Sequence, residues 1–189
     1  MFIQTEATPN PATLKFLPGK VVLDRGTADF READEAAAQS PLAGSLFAVD
    51  GVSGVFFGYD FITITKDDST DWPHLKPAIL ASIMEHFMSD APVMASQSAA
   101  DDAASGEEFY DADDESIVAT IKELLDTRVR PAVAQDGGDI TFRGYKGGTV
   151  FLHMKGACAG CPSSTATLKH GIQNLLRHFI PEVQGVEAV

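Results

Sequence analysis

The chain has 189 residues, 44% of them hydrophobic and 22% charged, enough for one or two small globular domains with modest cores. Its formal net charge of −13 repels nucleic-acid phosphates and anionic membrane surfaces, so neither is an expected partner. No apolar run approaches the roughly 20 residues of a membrane span. The start Met1–Glu6 has neither the basic region and apolar core of a secretion signal nor an Arg-rich transit character, which points to a bacterial cytoplasm; a processed form in the mitochondrial matrix reads the same way.

Phe2–Thr8 and Ala12–Phe16 read as extended, separated by the turn signal Pro9-Asn10-Pro11, with Val21–Leu23 as a short third strand. Ser40 followed by Pro41 is a helix start, and it predicts a short helix over Leu42–Val49. Val52–Tyr59 and Phe61–Thr65 are β-branched and aromatic and read as a hairpin across Gly58–Asp60. Pro73 opens a helix to about Ser89, in which Leu75, Ile79, Ile83 and Phe87 make one apolar face.

Residues 91–111 hold five acidic side chains and no basic one, and are rich in Ala, Ser and Asp; they read as an acidic, flexible linker. Beyond it, Ile117, Ile121, Leu124, Leu125 and Val129 form a helical stripe that ends at the turn Asp136-Gly137-Gly138-Asp139. Ile140–Tyr145 and Thr149–Lys155 follow as a hairpin across Lys146-Gly147-Gly148. Leu168, Ile172, Leu175, Leu176 and Phe179 make a second helical stripe ended by Pro181, and Val183–Val189 reads as a last strand. The expected fold class is α+β: two small α+β domains, residues 1–90 and 112–189, joined by the linker, the second of order α-β-β-α-β.

Cys158 and Cys161 are the chain's two cysteines, and they lie in its near-neutral C-terminal third. Two intervening residues let both sulfurs reach one metal centre, the spacing of zinc and iron–sulfur half-sites. Pro162, Ser163 and Ser164 favour a helix start, whose free N–H groups and positive dipole end stabilise thiolate over thiol. Gly156 and Gly160 let backbone amides approach a sulfur. Three chemistries are open to two thiols so placed: an iron–sulfur cluster shared by two chains, a structural Cys₄ zinc site across a dimer, or a dithiol–disulfide pair.

The wider neighbourhood of these thiols resembles the Nfu family of iron–sulfur cluster carriers. Gly156–Ser164, Thr167–Ile172 and Ile180–Val183 are similar to the NifU-type C-terminal domain, as are Arg130-Pro131 and Asp136–Ile140 upstream. Phe2–Phe16 resembles the separate N-terminal domain that precedes it in the bacterial and mitochondrial branch. The resemblance implies a [4Fe–4S] cluster (a [2Fe–2S] cluster is the alternative) bridging two protomers of a homodimer, with Cys158 and Cys161 as the ligands of each. It further implies loading by upstream scaffold proteins, delivery to apo iron–sulfur recipients and no catalytic turnover. The N-terminal domain holds no cysteine to ligate a cluster, and so is expected to recognise partners or orient the carrier domain.

Other candidate groups have simpler readings. Asp136 and Asp139 are expected to cap or solvate their glycine turn rather than bind metal. His153, His170 and His178 are expected to pack or cap rather than ligate, and His74 and His86 lie in the other domain. Lys155 and Lys169 read as surface lysines, though either can offset the charge of a cluster. Trp72, Phe56, Phe57 and Phe61 read as core. The chain has neither a Gly-x-Ser-x-Gly elbow nor a Walker-type phosphate loop.

Overall fold

Two extended runs flanking Pro9 and Pro11 pair with each other because Asn10 closes the turn between them: its carbonyl accepts from the Thr13 amide at 3.0 Å and its side chain from the Ala12 amide at 3.0 Å. The computed structural model describes residues 1–96 and 107–189 and divides the chain into two compact units between residues 104 and 105. In the first, β1 (Gln4–Ala7), β2 (Thr13–Leu17), β3 (Ala28–Phe30), β4 (Val52–Phe57) and β5 (Ile62–Lys66) form an antiparallel sheet in the order β1-β2-β5-β4-β3. Helices α1 (Ala33–Gln39), α2 (Pro41–Phe47) and α3 (Trp72–Met88) supply Ala36, Leu42, Leu46, Leu75, Ile79 and Ile83 to the same apolar core as Phe16, Phe30, Phe57, Ile62 and Ile64. Both helix starts at proline fall where the sequence predicts them. Phe56, Phe57 and Phe61 are buried as expected, while Trp72 is only partly buried and donates its indole N–H to the Pro11 carbonyl at 3.1 Å.

Two elements of this unit differ from expectation. Val21–Leu23 is not a strand: the amides of Val22 and Leu23 both converge on the Tyr59 carbonyl, at 2.7 and 3.2 Å, so no ladder register develops although both side chains are buried. The sequence pattern also has no counterpart for β3 and α1. Helix α1 buries only Ala36 and so shows no apolar stripe; its Ala and Glu content favours a helix that then packs on α2. Residues at the start of the predicted linker belong to this unit's packing: Ser40 donates to the Val93 carbonyl, the Ala95 amide donates to Gln39 at 2.8 Å, and Val93 and Met94 pack on the core. Residues 97–106, the middle of that linker, lie outside the described residues.

The second unit follows the predicted order with longer elements. Helix α4 (Glu115–Leu124) runs through a π turn (Leu125–Val129) into α5 (Arg130–Gln135). Pro131 has no N–H to give, and the Arg130 amide bonds the Leu125 carbonyl five residues back, which widens the helix here. Strand β6 (Gly138–Lys146) pairs antiparallel with β7 (Thr149–Gly156), and β7 pairs parallel with β8 (Gly185–Ala188), the order being β6-β7-β8. A parallel pair needs a crossover connection, and α6 (Pro162–Phe179) provides it. Val118, Ile121, Leu125, Ile140, Leu152, Ile172, Leu176 and Val183 form the core. No helix among the described residues is long and apolar enough to cross a membrane.

Candidate metal centre

The thiols sit where β7 gives way to α6. Gly156 and Gly160 both take positive φ, +65° and +85°, and bracket the loop. The loop is tied down at its first half: the Ala157 amide donates to Gly137 at 3.2 Å, the Ala159 amide to Gly156 at 3.2 Å, and the Thr165 hydroxyl to the Cys158 carbonyl at 3.1 Å. Cys161 is the N-cap residue of α6, with Pro162 at the first helical position as the sequence predicts.

The two cysteines are not equivalent. Cys158 is 6% exposed and belongs to the hydrophobic core, whereas Cys161 is partly exposed with its sulfur 3.5 Å from the Ser163 hydroxyl. Burial, with the carboxylates of Asp136 and Asp139 adding to it, pushes the Cys158 thiol up to about 12. The expectation that the helix start stabilises both thiolates is therefore corrected for Cys158: it lies four residues before α6 begins, in apolar surroundings that favour the protonated thiol.

Beneath the loop lies an ionic pair that the sequence pattern does not disclose. Arg130 sends Nε to one Asp139 oxygen and Nη2 to the other, both at 2.9 Å, and Nη1 to Asp126 at 3.1 Å. These carboxylates hold the Arg130 guanidinium well above its ordinary pKa. Asp139 is only 4% exposed, so the expected solvated cap is corrected: it is the second residue of β6 and is buried with its charge met by Arg130. Asp136 stays exposed at the end of α5. Lys155 is likewise no surface lysine. It faces Asp139 across the β6–β7 ladder and is 2% exposed, while Lys169 reaches Glu187 at 2.8 Å on the surface. The signal for both burials is the ladder register, which spacing alone does not reveal.

The histidines do not gather at the thiols. His153 Nδ1 lies 3.2 Å from Arg143, and His170 and His178 are exposed on α6, His178 edge-on to Phe179 with ring centroids 5.0 Å apart. Among the described residues no three His, Cys, Asp or Glu side chains are placed to hold one metal ion. The donor set one chain offers at this loop is two sulfurs, half of the tetrathiolate set that iron–sulfur clusters and Cys₄ zinc sites take.

Residues 3–90 match the family described as scaffold protein Nfu/NifU N terminal, and residues 121–187 match the NifU-like domain. The human protein named NFU1 iron-sulfur cluster scaffold homolog, mitochondrial, is 52% identical over 190 residues, covering 100% of this chain and 72% of the relative. NifU-like protein 4, mitochondrial, of Arabidopsis thaliana is 51% identical over 189 residues, covering 99% of this chain and 65% of the relative. A solved NifU-like protein from Saccharomyces cerevisiae is 29% identical, with a TM-score of 0.46, over 51% of this chain and 87% of that one. The chain belongs to the Nfu/NifU family of scaffold proteins.

Proposed function

We propose that the chain is an iron–sulfur cluster carrier. Two copies hold a [4Fe–4S] cluster between them, each giving Cys158 and Cys161, and the cluster is passed to apo-proteins. The observation that carries this reading is the half-site itself: two sulfurs in one loop, with no third ligating group beside them among the described residues, in a chain whose human relative is named an iron–sulfur cluster scaffold. The cluster is cargo, so the reading involves no catalytic turnover. A [2Fe–2S] cluster satisfies the same four thiolates and is the alternative.

The chain's own residues divide the task. Cys158, fixed in the core and tied through its backbone to Thr165, is the anchored ligand. Cys161, at the helix start and partly exposed, is the ligand that an incoming thiol of a recipient reaches. The N-terminal unit carries no cysteine and serves recognition or orientation. The mitochondrial names of the relatives favour the organellar matrix over the bacterial cytoplasm as the place of action.

A dithiol oxidoreductase needs a thiolate poised to attack, and the buried, proton-holding Cys158 is poorly suited to that. Anaerobic reconstitution with iron and sulfide tests the carrier reading. It should yield a brown dimer with about four irons per two chains. Cys158→Ser and Cys161→Ser should each lose the cluster while keeping the circular dichroism of the folded chain. Zinc in place of iron in protein purified without oxygen, or iron held by a single chain, overturns it.

A further inference from the structure

Arg130 stands at the point where the π turn passes into α5, and its guanidinium leaves the helix to grip the first part of β6. Asp139, which it grips, is buried and directly follows Gly138. Gly138 in turn faces Cys158: a β-carbon there would lie 2.7 Å from Cys158 Sγ and 3.2 Å from the Cys158 amide. Gly137 accepts the Ala157 amide at 3.2 Å. One unbroken line of contacts thus runs from a guanidinium on one helix, through a buried carboxylate, to the seat of a thiol on another element. We propose that Arg130 and Asp139 are a positioning pair for the cysteine loop, in which Arg130 both fixes the Gly137–Gly138 backbone under Cys158 and cancels the carboxylate charge beside the cargo.

This inference rests on the carrier reading. A cluster held by four thiolates is anionic, and an uncompensated carboxylate at low dielectric beside it repels that charge. Without Arg130, Asp139 keeps Lys155 opposite it in the β6–β7 register but loses the forked bonds to both of its oxygens, which is costly at a buried site. A forked guanidinium meets both carboxylate oxygens at once, which a lysine cannot do. A purely structural staple between α5 and β6 makes the same hydrogen bonds and also regains stability when both charges are deleted, but its effect on cluster loss follows the unfolding midpoint alone. The two roles therefore separate in a charge-cancelling double variant compared with the single one at equal stability.

The test uses the full chain as wild type, Arg130→Gln, Arg130→Lys, Asp139→Asn and the Arg130→Gln/Asp139→Asn double variant. Thermal unfolding of the metal-free proteins is recorded beside the loss of cluster absorbance to an iron chelator. Arg130→Gln should shed the cluster on the order of tenfold faster than wild type, with Arg130→Lys between them. The double variant should unfold at a higher midpoint than Arg130→Gln and recover retention to within about threefold of wild type, with the gain over Arg130→Gln persisting when each protein is assayed equally far below its own midpoint; a gain that vanishes at equal stability overturns the charge role. Wild-type retention in Arg130→Gln overturns the proposal, and so does a double variant as poor as the single one. A double variant that folds serves equally where Arg130→Gln alone does not. If the wild type takes up no iron and sulfide, the carrier reading fails by itself. The positional half of the proposal is then read from alkylation of Cys158 in a Cys161→Ser background, which Arg130→Gln should speed about fivefold and which an unchanged rate refutes.

Discussion

Gly138 and Cys158 occupy a space with no room for a β-carbon between them: one built on Gly138 would lie 2.7 Å from the Cys158 sulfur and 2.7 Å from the Lys155 carbonyl oxygen. The carbonyl is backbone in the β6–β7 ladder and has little freedom to move. Gly138→Ala should therefore destabilise the metal-free protein by about 1–3 kcal/mol and displace the thiol. Gly171 in α6 is the control, because nothing lies near its would-be β-carbon. Gly171→Ala should stabilise by about 0.5–1 kcal/mol. Urea unfolding of the two variants checks both signs.

Phe109 extends the β6 edge by an isolated parallel bridge to Gly144, with its amide donating to Arg143 at 3.1 Å and its carbonyl accepting from Tyr145 at 2.9 Å. Its ring packs on Phe151 with centroids 5.2 Å apart, over a glycine whose β-carbon would come within 2.4 Å of that ring. The segment at the end of the predicted linker thus covers part of a sheet edge that otherwise exposes unpaired groups. Gly144→Val should evict the ring. Hydrogen exchange at the Tyr145 amide should then rise by at least about tenfold, the loss of one protecting bond; an unchanged rate means that Phe109 is not what protects it.

Ser40 has two partners. Its side chain accepts from the Ala43 amide at 3.0 Å to cap α2, and donates to the Val93 carbonyl. Ser40→Ala removes the cap and leaves a half-buried carbonyl short of a donor, so it should cost about 1–2 kcal/mol. Ser40→Gly should cost more than a cap alone predicts, because the bond to Val93 is lost as well. Thermal unfolding of the two variants decides it.

His86 is buried on α3, its Nε2 atom has no hydrogen-bond partner, and its ring stands edge-on to Phe87 with centroids 5.6 Å apart. Burial lowers its pKa below the ordinary 6.5, opposed by a hydrogen bond to the Ala91 backbone. Between the lowered folded value and the ordinary unfolded one, the unfolded chain binds more protons than the folded chain. Stability is thus whole above about pH 6.5 and falls as the pH drops below it, at no more than about 1.4 kcal/mol per pH unit from this group. The denaturant midpoint of wild type should fall between about pH 6.5 and 5 more steeply than that of His86→Leu. Parallel slopes would rule His86 out as a contributor.

Signals carried within a few residues are legible in the sequence by itself. Ser40-Pro41 and Pro73 mark helix starts that the fold keeps, and the four-residue spacing of Leu75, Ile79 and Ile83 marks a buried face. Cys158 and Cys161 bring two sulfurs into one loop through their separation, and Pro162 places α6 directly behind them. All of these depend on local backbone preference or on the helix period, which neighbouring residues determine among themselves.

Tertiary structure decided what depends on partners distant in sequence. Val21–Leu23 has strand-like residues, yet both Val22 and Leu23 amides found one carbonyl of Tyr59 and no ladder formed. Asp139 and Lys155 look like ordinary surface charges until the β6–β7 register sets them opposite one another and buries both. Cys158 and Cys161 are chemically identical along the chain, and only packing makes one a core residue with a held proton and the other a partly exposed helix cap. Burial and register are properties of pairs and layers, so a charge or a thiol acquires its character only when the rest of the fold has closed around it.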